Sequence, residues 1–225
     1  MISDGQRVIQ RRMSYLLLTI ILLMTFILQE VEQEIPALDF VFAFVILATI
    51  YVAGSERNWL IAAIILAIPT LALSAVSNLD AWPLDNISIL YLVFLCTFVG
   101  FAIVAVIREV LLADRITIHT ISGAIVVYLL IGLLWAFMFY LAEGQFPGSF
   151  SITQELNPNQ DISSALFADL TYFSLITLTS TGYGDISPIA DWSRTLAALE
   201  AILGQIFLAV LVAWLVGKFL SHQVD

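Results

Sequence analysis

Charge is what this sequence has least of. Asp, Glu, Lys and Arg make up only 12% of its 225 residues, while 61% are hydrophobic. Ordinary soluble domains carry about twice that share of charge, so a soluble fold is excluded. Cysteine is almost missing as well. Cys96 is the single one, which excludes an intrachain disulfide and reads as a small buried apolar side chain. There is no metal-site pattern, no nucleophile triad and no phosphate-cradling glycine loop. Nothing in the chain points to enzyme chemistry, an organic cofactor or a nucleic-acid partner.

What is present is a series of long apolar runs, at about 13–31, 37–53, 58–77, 87–107, 117–141 and 190–220. A helix needs about 20 apolar residues to cross the roughly 30 Å hydrocarbon core of a bilayer. Irregular backbone cannot face lipid, so these runs are expected as helices. The first follows Arg7, Arg11 and Arg12 in the manner of a secretory signal. No small-residue cleavage site follows it, and it is read as a retained span.

The few charges are unevenly placed. With the N-terminus inside, seven of the eight basic residues fall on the inner side, Arg194 being the exception. That is the positive-inside bias. Acids gather on the outer side, among them Asp80, Asp85, Glu143, Asp185 and Asp191. Such a face attracts cations through its summed field, or simply solvates loops. Trp82, Tyr140 and Trp192 fall near the outer interface, and Tyr51, Trp59 and Trp214 near the inner one, as in an aromatic belt. The expectation is a multi-pass cell-membrane protein, in contact with lipid, with both termini cytoplasmic.

Most connections between the runs are short. "REVLLADRITIH" (108–119) is expected as a helix lying on the inner surface. The connection from 142 to 189 is far longer. Its first part, 142–162, is rich in Gly, Pro, Asn and Gln and reads as a loop. Its second, "SALFADLTYFSLITL" (164–178), reads as a helix with Ser163 as N-cap. At 1.5 Å per residue it is roughly 22 Å long, too short to cross. It must enter, stop partway and leave by a non-helical route.

That route is Thr179 to Asp185. Unwound backbone at membrane depth is tolerated inside protein or beside a water-filled path. Gly182 and Gly184 can take positive φ, and alternating handedness turns successive carbonyls to one side. A column of carbonyls can replace the hydration shell of a cation. The Ser180 hydroxyl adds ligands at the inner end, and Tyr183 braces the strand from the other side. The helix before the loop aims its negative C-terminal end at the membrane centre.

The stretch "YFSLITLTSTGYGDISP" (172–188), with a half-helix before it and a span after it, resembles the potassium-channel pore family. The resemblance covers roughly 117–220. It implies a selectivity filter of Ser180, Thr181, Gly182, Tyr183 and Gly184, with K+ held at Ser180, Thr181, Gly182 and Tyr183. It also implies an outer acid, Asp185, a supporting Tyr172, a basic start of the inner helix, Arg194, and a hinge, Gly204. Two positions depart from the family's commoner residues. Ser180 stands where Thr is usual, and Thr181 where an apolar residue is common. One chain supplies one filter strand and a ring needs four, so a homotetramer is expected.

Other polar residues are ambiguous. Glu200 lies in the sixth run, where a carboxylate is costly and functional by default. It either buttresses the filter through Thr177 or Thr179, or attracts ions from the cavity wall. The family often has an acid at the position of Ile176, and Glu200 can fill that role from another helix. Gln205 belongs either to a small-residue packing stripe (Ala197, Ala201, Ala209, Ala213, Gly217) or to the water-filled inner path. His119 and His222 lie at inner helix ends and are either pH sensors or simply solvated. The fourth run has no Arg before Arg108, so strong voltage gating is rejected. The sequence runs only a few residues past Lys218, and a cytoplasmic nucleotide- or calcium-binding domain is not expected within it.

The reading is an all-α membrane protein of six transmembrane helices, with a re-entrant pore helix and filter loop between helices five and six. Residues 1–107 would be a four-helix peripheral domain acting as scaffold, mechanical sensor or ligand-binding unit. Residues 108–118 would be the linker helix and 119–225 the pore domain. The expected function is passive, potassium-selective conduction. The alternatives are a weakly selective cation channel, a potassium-transporter subunit or a regulatory subunit.

Overall fold

The computed structural model describes residues 57–76, 85–113, 116–152 and 162–221. The first two expected spans and His222 lie outside these residues. The described chain is mostly helical. Its elements run α1 (Arg57–Val76), α2 (Asn86–Leu112), α3 (Ile118–Gln145), β1 (Phe150–Ile152), α4 (Ile162–Leu178), β2 (Ile186–Pro188) and α5 (Asp191–Ser221). Among the described residues, α1, α2, α3 and α5 are long and apolar enough to cross a bilayer, and α4 is a shorter apolar helix.

Local chemistry sets the boundaries. Asp85 precedes α2, and its Oδ1 accepts the Ser88 amide proton over 2.7 Å. This is N-capping, which satisfies a first-turn donor that the helix cannot. The same backbone bond holds the Asp85 carboxyl below its ordinary value.

At the other end α2 runs on to Leu112, and Ala113, Ile116 and Thr117 are not helical. The surface helix expected at 108–118 is therefore not a separate element among the described residues. Its first five residues prolong α2 instead. The cause is packing: Val110 is buried, and it lies against α3 where Gly123 has no side chain. A Cβ on Gly123 would stand 2.7 Å from Val110 Cγ2.

The start of α4 also differs from expectation. The helix begins at Ile162, so Ser163 lies inside its first turn. The supposed loop 142–162 holds structure as well. The end of α3 reaches Gln145, and β1 pairs antiparallel with β2, Phe150 opposite Pro188 and Ile152 opposite Ile186.

Internal contacts divide the described chain into two compact units, each taking parts of several helices. One consists of 57–63, 101–130 and 209–221 and the other of 64–100 and 131–208, as far as these are described. In the first, Trp59 meets Phe101 with ring centroids 5.4 Å apart, and the Arg108 guanidinium lies 5.2 Å from the Trp59 ring. The Lys218 ammonium lies 5.1 Å from the Trp214 ring and donates to the Ala113 carbonyl.

The second unit has an aromatic core. Phe137 stacks on Phe167 at 5.1 Å, and Phe139 meets Phe150 at 5.4 Å and Phe173 at 5.3 Å. All five rings are buried. Edge-to-face and offset pairs of this kind add about 0.5–1.5 kcal/mol each beyond area burial. They lock α4 against α3 and β1, and so fix where the loop after α4 begins.

Candidate functional site

The loop after α4 starts as a helix cap. The Ser180 amide donates to the Thr177 carbonyl over 2.8 Å, and the Thr181 amide to the Ile176 carbonyl over 2.8 Å. Ser180 has φ of 56°. These are the two bonds and the left-handed residue of a Schellman motif. Glycine is the usual occupant of that left-handed position, and serine adopts it at a steric cost. The innermost residue of the predicted filter is thus the one that turns the chain out of its helix.

Beyond it the left-handed conformation recurs at every second residue, with φ of 53° at Gly182 and 83° at Gly184. Only glycine takes such angles freely. The hydroxyls beside the cap are tied in sequence. Thr179 Oγ1 donates to the Leu175 carbonyl over 2.8 Å, and the Thr181 hydroxyl lies 2.9 Å from Thr179 Oγ1. Residues 179–185 are exposed in the single chain. Tyr183 is 73% exposed, so the brace expected from it is not made within one chain.

Two acids close the far end of the loop in different ways. The Tyr172 hydroxyl donates to Asp185 Oδ2 over 2.7 Å and holds that exposed carboxyl below its ordinary value of 3.8. A lowered folded pKa stabilises the fold above the unfolded pKa, and the benefit fades as pH falls through the folded value. Tyr172→Phe should therefore melt below wild type at neutral pH. The gap should close in acid below 3.8, as read by thermal unfolding at a series of pH values. A gap that stays constant into acid would show that the bond does not depend on the ionised carboxylate.

Glu143, expected among the acids of the outer loops, is buried. Its two carboxylate oxygens accept the Gly148 amide at 2.7 Å and the Ser149 amide at 2.9 Å. The Ser149 carbonyl in turn accepts from the Ile189 amide at 2.8 Å and from Ser193 Oγ at 2.9 Å. The end of α3, the strand pair and the start of α5 are thereby tied together just past the loop. Arg194 Nε reaches the Pro188 carbonyl at 3.4 Å, a longer and weaker contact.

Glu200 is fully buried. Its Oε1 lies 2.5 Å from Ser174 Oγ, and the Gly132 carbonyl lies 2.7 Å from the same hydroxyl, whose single proton can serve one of these two acceptors at a time. Three helices meet at this point: α3 through Gly132, α4 through Ser174 and α5 through Glu200. The Glu200 side chain meets α4 at Ser174 and not at Thr177 or Thr179. Thr179 is occupied with its own helix carbonyl. The available signal was Ser174 itself, a small hydroxyl inside an apolar helix.

One turn along α5 from Glu200, Gly204 is buried against α4. A Cβ there would overlap the Leu178 carbonyl oxygen. Gln205 Nε2 donates to Ser180 Oγ over 2.9 Å. His119 lies in the first turn of α3, in the other unit.

Residues 127–221 match a protein family described as "Ion channel". Among curated proteins, the chain is similar to "Two-pore potassium channel 5" of Arabidopsis thaliana, with 34% identity over 55 residues, 24% of this chain and 14% of the relative. It is also similar to "Two-pore potassium channel 4" of the same plant, with 38% identity over 58 residues, 26% of this chain and 20% of the relative. The matched stretch therefore spans no more than a fifth of these relatives' length. No solved structure matches. By the match over 127–221, this part of the chain is similar to an ion-channel family, and a shorter stretch of the chain is similar to proteins named as two-pore potassium channels.

Proposed function

We propose that the protein is a potassium-selective channel that lets K+ run passively down its gradient through four Ser180–Gly184 strands around one axis. The observation that carries this reading is the alternation of left-handed residues at 180, 182 and 184 directly after a helix C-terminus. Such alternation turns consecutive carbonyls toward a common line, where they stand in for water around a bare cation. K+ would sit at Ser180, Thr181, Gly182 and Tyr183, with Asp185 and Tyr172 at the outer mouth.

The assembly is homotetrameric. The relatives are named two-pore channels, whereas this sequence carries one Gly-Tyr-Gly motif, so four strands require four copies. The exposure of the loop and of α5 supports this. Ile202 and Ile206 on α5 are each 54% exposed, apolar surface that lipid or further copies would cover. In the membrane, α4 is re-entrant, six spans place both termini in the cytoplasm, and 119–225 forms the pore domain. Gly204 is the hinge of the inner helix, and Gln205 borders the inner path. The uncharged run 87–107 leaves the channel without strong voltage gating.

The test is ion flux from the purified protein in liposomes, with its assembled mass measured in parallel. The expected result is potassium flux well above sodium flux, blocked by barium, from a particle of four chains. Equal fluxes would favour the weakly selective cation channel. A silent but intact tetramer would favour a regulatory subunit.

A further inference from the structure

The contact between Gln205 and Ser180 joins the inner helix to the innermost residue of the loop. Ser180 Oγ accepts from Gln205 Nε2 over 2.9 Å. A free serine hydroxyl spreads over three staggered χ1 wells, and a bond to a fixed neighbour selects one of them. The neighbouring Thr179 and Thr181 hydroxyls are tied to the helix end and to each other. Among the described residues, the side chain that ties Ser180 is Gln205.

The reach of Gln205 is built into the backbone. Gly204 brings α5 so close to Leu178 that a Cβ would overlap its carbonyl oxygen. That approach sets the next residue of α5 within hydrogen-bond distance of a side chain two positions beyond Leu178. The direction of the bond matters too. A hydroxyl oxygen has two lone pairs. With one of them held by the amide, the other remains for a cation and the rotamer is fixed.

We propose that Gln205 is a positioning residue for the innermost ion site, holding the Ser180 hydroxyl so that its oxygen faces the conduction path. This rests on the conduction reading above. Releasing the hydroxyl would weaken cation binding at that site while leaving the backbone carbonyl sites in place.

The experiment uses the full chain in planar bilayers, with barium added on the inner side as the probe of that site. Barium is nearly the size of potassium and doubly charged, so it reports the oxygens that surround it. Gln205→Met keeps length and removes the donor. Its half-blocking barium concentration should rise about threefold to tenfold, the net worth of one hydrogen bond. In a Ser180→Ala background the same change should have no further effect, as expected of two coupled residues. If Gln205→Met does not assemble, Gln205→Asn takes its place, its shorter side chain falling short of Ser180. Block within twofold of the unaltered channel, or an equal shift in the Ser180→Ala background, would overturn the proposal. Failure of the unaltered protein to select potassium over sodium would instead overturn the conduction reading, and the inference with it.

Discussion

Gly182→Ala should abolish potassium flux while the chain still inserts and assembles. Gly182 has φ of 53° and no atom within 4 Å of the place a Cβ would take. The added methyl therefore clashes with nothing in its own chain. Its cost is the left-handed backbone, about 1–2 kcal/mol for an L-residue. In a ring of four strands that cost occurs four times, about 4–8 kcal/mol in all. Each 1.36 kcal/mol is a factor of ten, so the conducting conformation should lose at least about a thousandfold in population. Tracer flux read beside assembled mass checks this. An intact Gly182→Ala tetramer that still conducts at wild-type rate would remove the case for a left-handed filter.

Gly204→Ala should fail differently, at the level of packing. Its Cβ would fall on the Leu178 carbonyl oxygen, with the Leu178 carbonyl carbon and Cδ1 both 3.0 Å away. The carbonyl belongs to a buried helix end and cannot rotate aside, so α5 has to move away from α4. Overpacking of this kind costs about 1–3 kcal/mol per chain. It should also pull Glu200 and Gln205 from Ser174 and Ser180, because all of these contacts lie within two turns of α5. The expected outcome is a lower melting temperature of the assembled particle and a reduced flux. A variant as stable and as conductive as wild type would mean that the close approach of α5 to α4 is not needed. A hinge alone would predict altered gating with unchanged stability, so the melting experiment tells the two roles of Gly204 apart.

Much of this architecture was legible in the residues themselves. Apolar length is a local property, and in a bilayer a helix is the only way to satisfy a long apolar backbone. The runs at 58–77, 87–107, 117–141 and 190–220 accordingly became α1, α2, α3 and α5 within a few residues. The shift to hydroxyls and glycines after 178 was equally plain, because positive φ is nearly a glycine property. The left-handed angles at Gly182 and Gly184 follow from residue type.

What the residues did not reveal depended on which side chains the tertiary structure brings together. Glu200 could be placed in a helix but not against Ser174, since its partner lies 26 positions away on another element. Glu143 looked like one of the outer-loop acids until the chain folded back to present two amides to it. The strand pair escaped notice because three-residue strands carry no usable periodicity and are held by Glu143 and Ser149. The left-handed angle at Ser180 breaks the glycine rule and comes from its place in a helix cap. The bond from Gln205 exists only because Gly204 admits a close approach of two backbones. Composition was sufficient to say which of the described segments are long and apolar enough to cross a membrane. The partners of Glu143, of Glu200 Oε1 and of the Ser180 hydroxyl were decided by packing, since a buried or crowded polar group bonds to whatever the fold sets beside it.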